Sequence, residues 1–365
     1  MSHPAGTRTA LDWILTHVPE SSPGLHRIVL DSRYIGSQKD ETRIALALQH
    51  VHDSCLLGHI PSRIPTDVIQ NGLQLFTHLF PNPDEREDTG SIIERLGNRD
   101  MRRGKRGCFD VIIGRDALGR VISWHQFSTI PLPDDDGAVA FMQYTGSADE
   151  AFMKRAYGQG DGHHGHGIYT LNTALMQQIA DENARQFLSC SGGLKGYFLE
   201  TEFKGQGASD DEIRFTAQRL KIHEMTGAKA IMLRMKNGSL MSPHFQPALS
   251  KDSAPIKLLL LFRRSSYDAA KLHEQEDIAK DEAERLLLAF IGNFDTEGFH
   301  KGDVESVRSL MKSWFRDADS AVLVPPTILP DIVTMAKNDP VLREYATREY
   351  GSLSKHATRL KLLFT

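Results

Sequence analysis

The chain is short of cysteine, of long apolar runs and of unbalanced charge, and each shortage narrows what it can be. Three cysteines occur in 365 residues, Cys55, Cys108 and Cys190, far apart and in no C-x-x-C pairing. That argues against a disulfide framework and points to a reducing, cytoplasmic compartment. No stretch approaches the ~20 apolar residues that span a bilayer. The start, MSHPAGTRTALDWILTHVPE, lacks the basic residues and apolar run of a signal peptide, so no membrane association is expected. With 43 Lys and Arg against 47 Asp and Glu, the net charge of −4 supplies no bulk attraction for nucleic acid. The one basic run, RDMRRGKRG (99–107), reads as a solvated loop before a strand. Internal repeats and low-complexity tracts are missing too. What remains is an ordinary globular composition, long enough for one large core or two to three domains.

Residues 1–66 read as helix and loop, with Ile44, Leu46, Leu48, Val51, Cys55 and Leu56 at roughly helical spacing. Pro65 precedes a new helix start, and 68–98 holds an apolar run, a Pro-Asn-Pro turn and an amphipathic helix. Two β-rich runs around RDALGR, where Gly119 suits a turn, predict a hairpin over 108–133. AVAFMQYT (138–145) supplies a third strand. A helix over 168–186 follows from Ile168, Leu171, Leu175 and Ile179 on one face. YFLETEF (197–203) alternates as a strand, placing Glu200 and Glu202 on one side. Ser209 caps a helix that ends near Gly227, and AIMLRM (230–235) and PIKLLLLFRR (255–264) are strands. From residue 265 the pattern becomes charged amphipathic helix. The order predicts a layered α/β or α+β domain with a mixed sheet.

Between the third strand and the helix at 168 lies GDGHHGHGIYT (160–170), with His163, His164 and His166 among four glycines. Imidazoles suit zinc, but adjacent His163 and His164 do not easily reach one ion, and no C-x-x-C or H-E-x-x-H supplies the other ligands. No metal is expected. The glycines suit a phosphate cradle, because N–H groups at a helix start lack intrahelical partners and carry the positive dipole end. A flexible surface connection is the competing reading.

The segment 219–262 resembles the closing part of the GNAT family of N-acetyltransferases. Arg219, Leu220, His223, Glu224, Gly227 and Ala228 follow the family's R-L-x-F-Y-E-x-x-G-F/A helix. Phe245, Pro247, Leu249 and Pro255 follow the ending of one subgroup. FPNPDERE (80–87) resembles the first-helix segment, 108–133 the second and third strands, and HGHGIYTL (164–171) the pyrophosphate loop. There His164 stands where arginine is usual, and Tyr169 where a small residue is usual. The resemblance covers about 68–264. It implies an α+β fold of three α/β/α layers, a mixed and mostly antiparallel sheet, a helical segment at 1–67 and a helical extension at 265–365.

The resemblance also implies transfer of an acetyl group from acetyl-CoA to an amine on a small molecule or protein, by direct attack. Gln143, Tyr144 and Thr145 fall where the fourth strand offers backbone groups to the pantetheine arm. His164, Gly165, His166, Gly167, Ile168 and Tyr169 would hold the diphosphate. Glu200 is the candidate base, and Glu202 on its face would raise its proton affinity. His223 occupies the place of the family's acid tyrosine, with Tyr144 and Tyr169 as further donors. The missing loop arginine and acid tyrosine motivate a second reading, a GNAT-fold binding or regulatory protein. A histidine-cluster hydrolase is a third. The C-terminal helices have three roles open to them: covering the acceptor, homodimerisation or docking a partner.

Overall fold

The structure, a computed structural model, describes residue 43, residues 56–57, and residues 66–364 apart from 84–85, 99–102, 105, 117, 134, 159–161, 163–166, 248–255, 267–268, 296, 298, 300 and 351. The chain divides into two compact units, Met1–Tyr197 and Phe198–Thr365. This division falls inside the expected 68–264 core, and residues 265–365 share the second unit with 198–264.

The first unit contains, in chain order, β1 (Leu56–Leu57), α1 (Thr66–Leu79), α2 (Thr89–Gly97), β2 (Arg103–Gly104), β3 (Gly107–Arg115), β4 (Val121–Pro131), β5 (Gly137–Ser147), α3 (Glu150–Tyr157) and α4 (Ile168–Gln186). The predicted hairpin is β3 and β4, antiparallel from Cys108 opposite Thr129 to Ile113 opposite Trp124. Its turn closes because Asp116 Oδ1 accepts the N–H groups of Leu118 and Arg120 at 3.0 and 2.9 Å. β5 continues the antiparallel pattern on β4. Leu56 and Leu57, expected in a helix, instead pair with Gly114 and Ile113 at the far side of β3. Two leucines and a neighbouring Cys fit either period, and here the open edge of β3 decides.

β4 is buried along nearly its whole length rather than on alternate positions, because both of its faces are covered. On one face, α1 lies so close that a Cβ on Gly72 would stand 3.0 Å from Ile113 and from the Trp124 ring. Glycine is what lets this helix approach. On the other face, Asn172 of α4 donates to Ser123 Oγ at 3.3 Å and Asn183 to Thr129 Oγ1 at 3.2 Å. The spacer between Gly146 and Gly162 holds α3, capped by Asp149 accepting the Phe152 N–H at 2.7 Å and closed by left-handed Gly158.

β6 (Gly193–Thr201) runs across the division of the chain. The second unit continues with α5 (Asp210–Met225), β7 (Lys229–Met235), β8 (Leu240–Met241), β9 (Leu259–Arg264), β10 (Glu276–Ile278), α6 (Lys280–Phe294), α7 (Lys301–Asp317), β11 (Ala318–Val324), α8 (Ile332–Ala336), α9 (Pro340–Tyr350) and α10 (Leu353–Phe364). Ser209 and Glu212 form a reciprocal cap on α5: Ser209 Oγ accepts the Glu212 N–H at 3.2 Å, and Glu212 accepts the Ala208 N–H. Strand order is β6-β9-β7-β11-β10.

The C-terminal segment therefore differs from the expected helical extension. SAVLV (320–324) lies in β11, antiparallel to β7 with Val322 opposite Met232 and Val324 opposite Ala230. A four-residue apolar run, AVLV (321–324), beside Pro325 and Pro326 is a buried strand signal, and the flanking helices conceal it.

A chain ending at Arg264 would lose β11 and leave the apolar strand β7 as an open edge. We expect that truncation to aggregate or to lose cooperative unfolding of the second unit. A soluble truncation with an unchanged second-unit thermal transition would show that 265–365 is dispensable.

Candidate active site

In the first unit, the expected pantetheine strand carries a β-bulge. Gln126 lies opposite Tyr144, but Phe127 lies opposite Met142, so Gln143 is the extra residue. A bulge breaks strand pairing locally and re-aims side chains. Around it runs a buried polar network. Arg95 donates to both carboxylate oxygens of Glu87, at 2.8 and 3.0 Å, while its guanidinium lies 3.6 Å over the Phe109 ring. Gln126 Nε2 donates to Glu87 Oε2 at 2.7 Å and to Gln143 Oε1 at 3.2 Å. The Glu87 backbone N–H donates to the Tyr144 hydroxyl oxygen at 2.9 Å. Tyr144 is further fixed by edge-to-face contacts with Phe76 and Phe80, at 5.1 and 5.0 Å between centroids.

Thr145 Oγ1 lies 2.8 Å from His125 Nδ1. Burial pushes the His125 imidazole down to about 3, so it is neutral at physiological pH. Thr145, half-buried, is thus engaged by its side chain.

α4 begins at Ile168, as its periodicity predicts, and Ile168 is buried. The residue before it, Gly167, has a left-handed φ of 77°, and no side chain caps the helix. A Cβ there would stand 2.2 Å from the Arg43 carbonyl oxygen, so both conformation and space call for glycine. The Tyr169 carbonyl accepts from Thr173 Oγ1 at 2.8 Å. His163, His164, Gly165 and His166 lie outside the described residues. Among the described residues, no group of three or more His, Cys, Asp or Glu side chains could hold a metal ion.

In the second unit, the two carboxylates of YFLETEF have separate partners. Glu202 lies just past the end of β6 and pairs with Arg219 of α5 at 2.5 Å. Glu200, inside β6, meets the Nε2 of His244 at 2.5 Å. Ionised carboxylate only accepts, so the imidazole proton sits on Nε2. The His244 side chain is 1% exposed and that of Glu200 13%, so the imidazole lies in the interior and the carboxylate nearer the surface. The ring stands edge-on to Phe290, 4.9 Å between centroids.

His244 escaped the sequence reading. It sits in the irregular stretch SPHFQP, which has neither helical nor strand period, and only its spatial meeting with Glu200 singles it out. His223, expected as the proton donor, lies half-buried on α5. Burial, reinforced by the neighbouring Arg219 cation, pushes its imidazole down to about 4. It carries no imidazolium proton to give at neutral pH.

No protein-family model matches this chain, and no curated protein matches it. Among solved structures it is similar to a GNAT-family acetyltransferase candidate from Bacteroides thetaiotaomicron, at 16% identity over 62% of this chain and 93% of that one, with a TM-score of 0.32. It is also similar to an acetyltransferase of the GNAT family from Staphylococcus aureus Mu50, at 13% identity over 55% of this chain and 91% of that one, with a TM-score of 0.26. At such scores the likeness carries no conclusion about function. Among the described residues, no helix is long and apolar enough to cross a membrane.

The two depressed histidines set an acid limit on stability. Between the ordinary value of 6.5 and about 3 (His125) or 4 (His223), the unfolded chain binds a proton that the folded chain refuses. Each contribution is therefore full above pH 6.5 and is lost as pH falls, with a slope of at most ~1.4 kcal/mol per pH unit. His223→Gln should flatten the denaturant-measured stability of the second unit between pH 6.5 and 4, relative to wild type. Parallel curves would contradict this.

Proposed function

We propose that the chain transfers an acetyl group from acetyl-CoA to an amine, in a three-layer GNAT-type fold with a helical segment before it. The observation that carries this reading is Glu200, a carboxylate on a strand that is held by His244 and left partly exposed. The bulge at Gln143 and the glycine-opened start of α4 support it from the first unit.

In the proposed reaction the amine nitrogen attacks the thioester carbonyl carbon, the new C–N bond forms and the C–S bond breaks. Glu200 accepts the amine proton. Its Oε1 is occupied by His244, so Oε2 is the oxygen that takes the proton. The departing thiolate takes up a proton from solvent. Backbone N–H groups opening α4, together with 164–167, would receive the diphosphate. Glu202, tied to Arg219, serves to fix the end of β6 rather than to exchange protons. The acceptor is an amine of a small molecule or a protein, and the compartment is the cytoplasm.

The reading is tested by free-thiol release from acetyl-CoA across amino acids, polyamines, aminoglycosides and lysine peptides. At least one amine should raise release well above the no-amine rate. Glu200→Gln should lower turnover ~10²–10⁴-fold, as for loss of a positioned base, with acetyl-CoA affinity unchanged. Stabilisation by acetyl-CoA with no amine-dependent release would favour the binding-protein reading instead. Gly167 is a poor probe of cofactor contact, because any side chain there meets the Arg43 backbone.

A further inference from the structure

The segment that carries His244 is an irregular strap, and its fixed points explain how an imidazole is delivered to Glu200. At one end, the Ser242 carbonyl accepts from Lys257 Nζ at 2.8 Å, and the Ser242 hydroxyl donates to the Leu258 carbonyl at 3.4 Å. Pro243 then fixes φ for the next step of the chain. At the other end, Gln246 and Ile256 exchange backbone hydrogen bonds at 2.9 and 3.0 Å. His244 sits midway, with few free torsions between it and the pinned Ser242.

Lys257 is an unusual pin. It is 0% exposed, and an ammonium buried this way requires partners. Two of these come from the C-terminal third. Asp339, 1% exposed, places Oδ2 3.6 Å from Nζ, an ion pair beyond hydrogen-bond range. The Trp314 ring lies 4.4 Å from Nζ in cation–π geometry. Asp339 is itself held, because its Oδ1 accepts the Leu342 N–H at 3.0 Å at the start of α9. Burial pushes the Lys257 ammonium down to about 8 while Asp339 pulls the other way, so it stays mainly charged at neutral pH.

We infer that Lys257, clamped by Asp339 and Trp314, is a positioning residue for the Glu200–His244 pair, and that the C-terminal third serves the reaction through this clamp. The inference rests on the proposed role of Glu200 as the proton acceptor. Its structural half stands on geometry alone: the clamp fixes Ser242, Ser242 and Pro243 fix His244, and His244 fixes one carboxylate oxygen. The neutral alternative is a buried ion pair that stabilises the fold with no bearing on His244.

The test uses the double variant Lys257→Met/Asp339→Asn. Replacing both members of a buried pair is far milder than orphaning one, and asparagine still caps α9. In full-length protein labelled with 15N-histidine, the His244 Nε2–H resonance is assigned by its loss in His244→Gln. The inference predicts that this resonance shifts or broadens in the double variant while the thermal transition stays close to wild type. It also predicts that amine acetylation slows by up to ~10²-fold with an unchanged KM for acetyl-CoA. If the double variant does not fold, Lys257→Arg, which keeps the charge but not the compact ammonium, is read the same way. An unmoved His244 resonance with unchanged turnover overturns the inference. Failure of Glu200→Gln to slow acetylation removes the base reading instead, and the resonance then decides the clamp by itself.

Discussion

Buried charge must be matched where it lies, and in this chain that requirement decides where the irregular segments run. Glu87 is a carboxylate in the interior of the first unit, and Arg95 and Gln126 meet it there. The bulge at Gln143 adjoins that network through the Gln126–Gln143 hydrogen bond. In the second unit Glu224 accepts from His273 and from the Thr327 backbone, which ties α5 to the turn after β11. Glu200 and His244 follow the same logic. Removing one member of such a pair typically costs ~3–5 kcal/mol, because the partner is left charged and unhydrated.

The difference between these pairs is exposure. Glu87 and Arg95 are both enclosed, and Gln126 adds a further donor to Glu87. Glu200 is held on one oxygen by a fully enclosed imidazole while the residue itself is partly open. Glu202, paired with the exposed Arg219, is itself more open than Glu200. The comparison also accounts for the histidines. Burial lowers the imidazoles of His125 and His223 enough to keep both neutral at physiological pH.

Much of the fold was legible because it rests on local signals. The hairpin at 108–133, the helix opening at Ile168 and the serine-capped helix at 209–229 each follow from turn chemistry, periodicity or capping, and each is found where expected. What escaped depends on long-range pairing. Leu56–Leu57 and SAVLV become strands only because β3 and β7 offer them edges. α3 was hidden in a spacer that reads as loop until Asp149 is seen to cap it. For the candidate site, Glu200 was visible as a carboxylate on an alternating strand. Its separation from Glu202 was not, because β6 ends at Thr201 and the period-two argument stops there. His244 had no local signal at all. A histidine in an irregular stretch acquires meaning only from the residue it meets.

The most direct measurement of the central claim is the turnover of amine acetylation in wild type and in His244→Gln, with acetyl-CoA saturating. The imidazole holds one oxygen of Glu200, so losing it should lower turnover while acetyl-CoA affinity holds. Unchanged turnover in a folded His244→Gln would contradict the account.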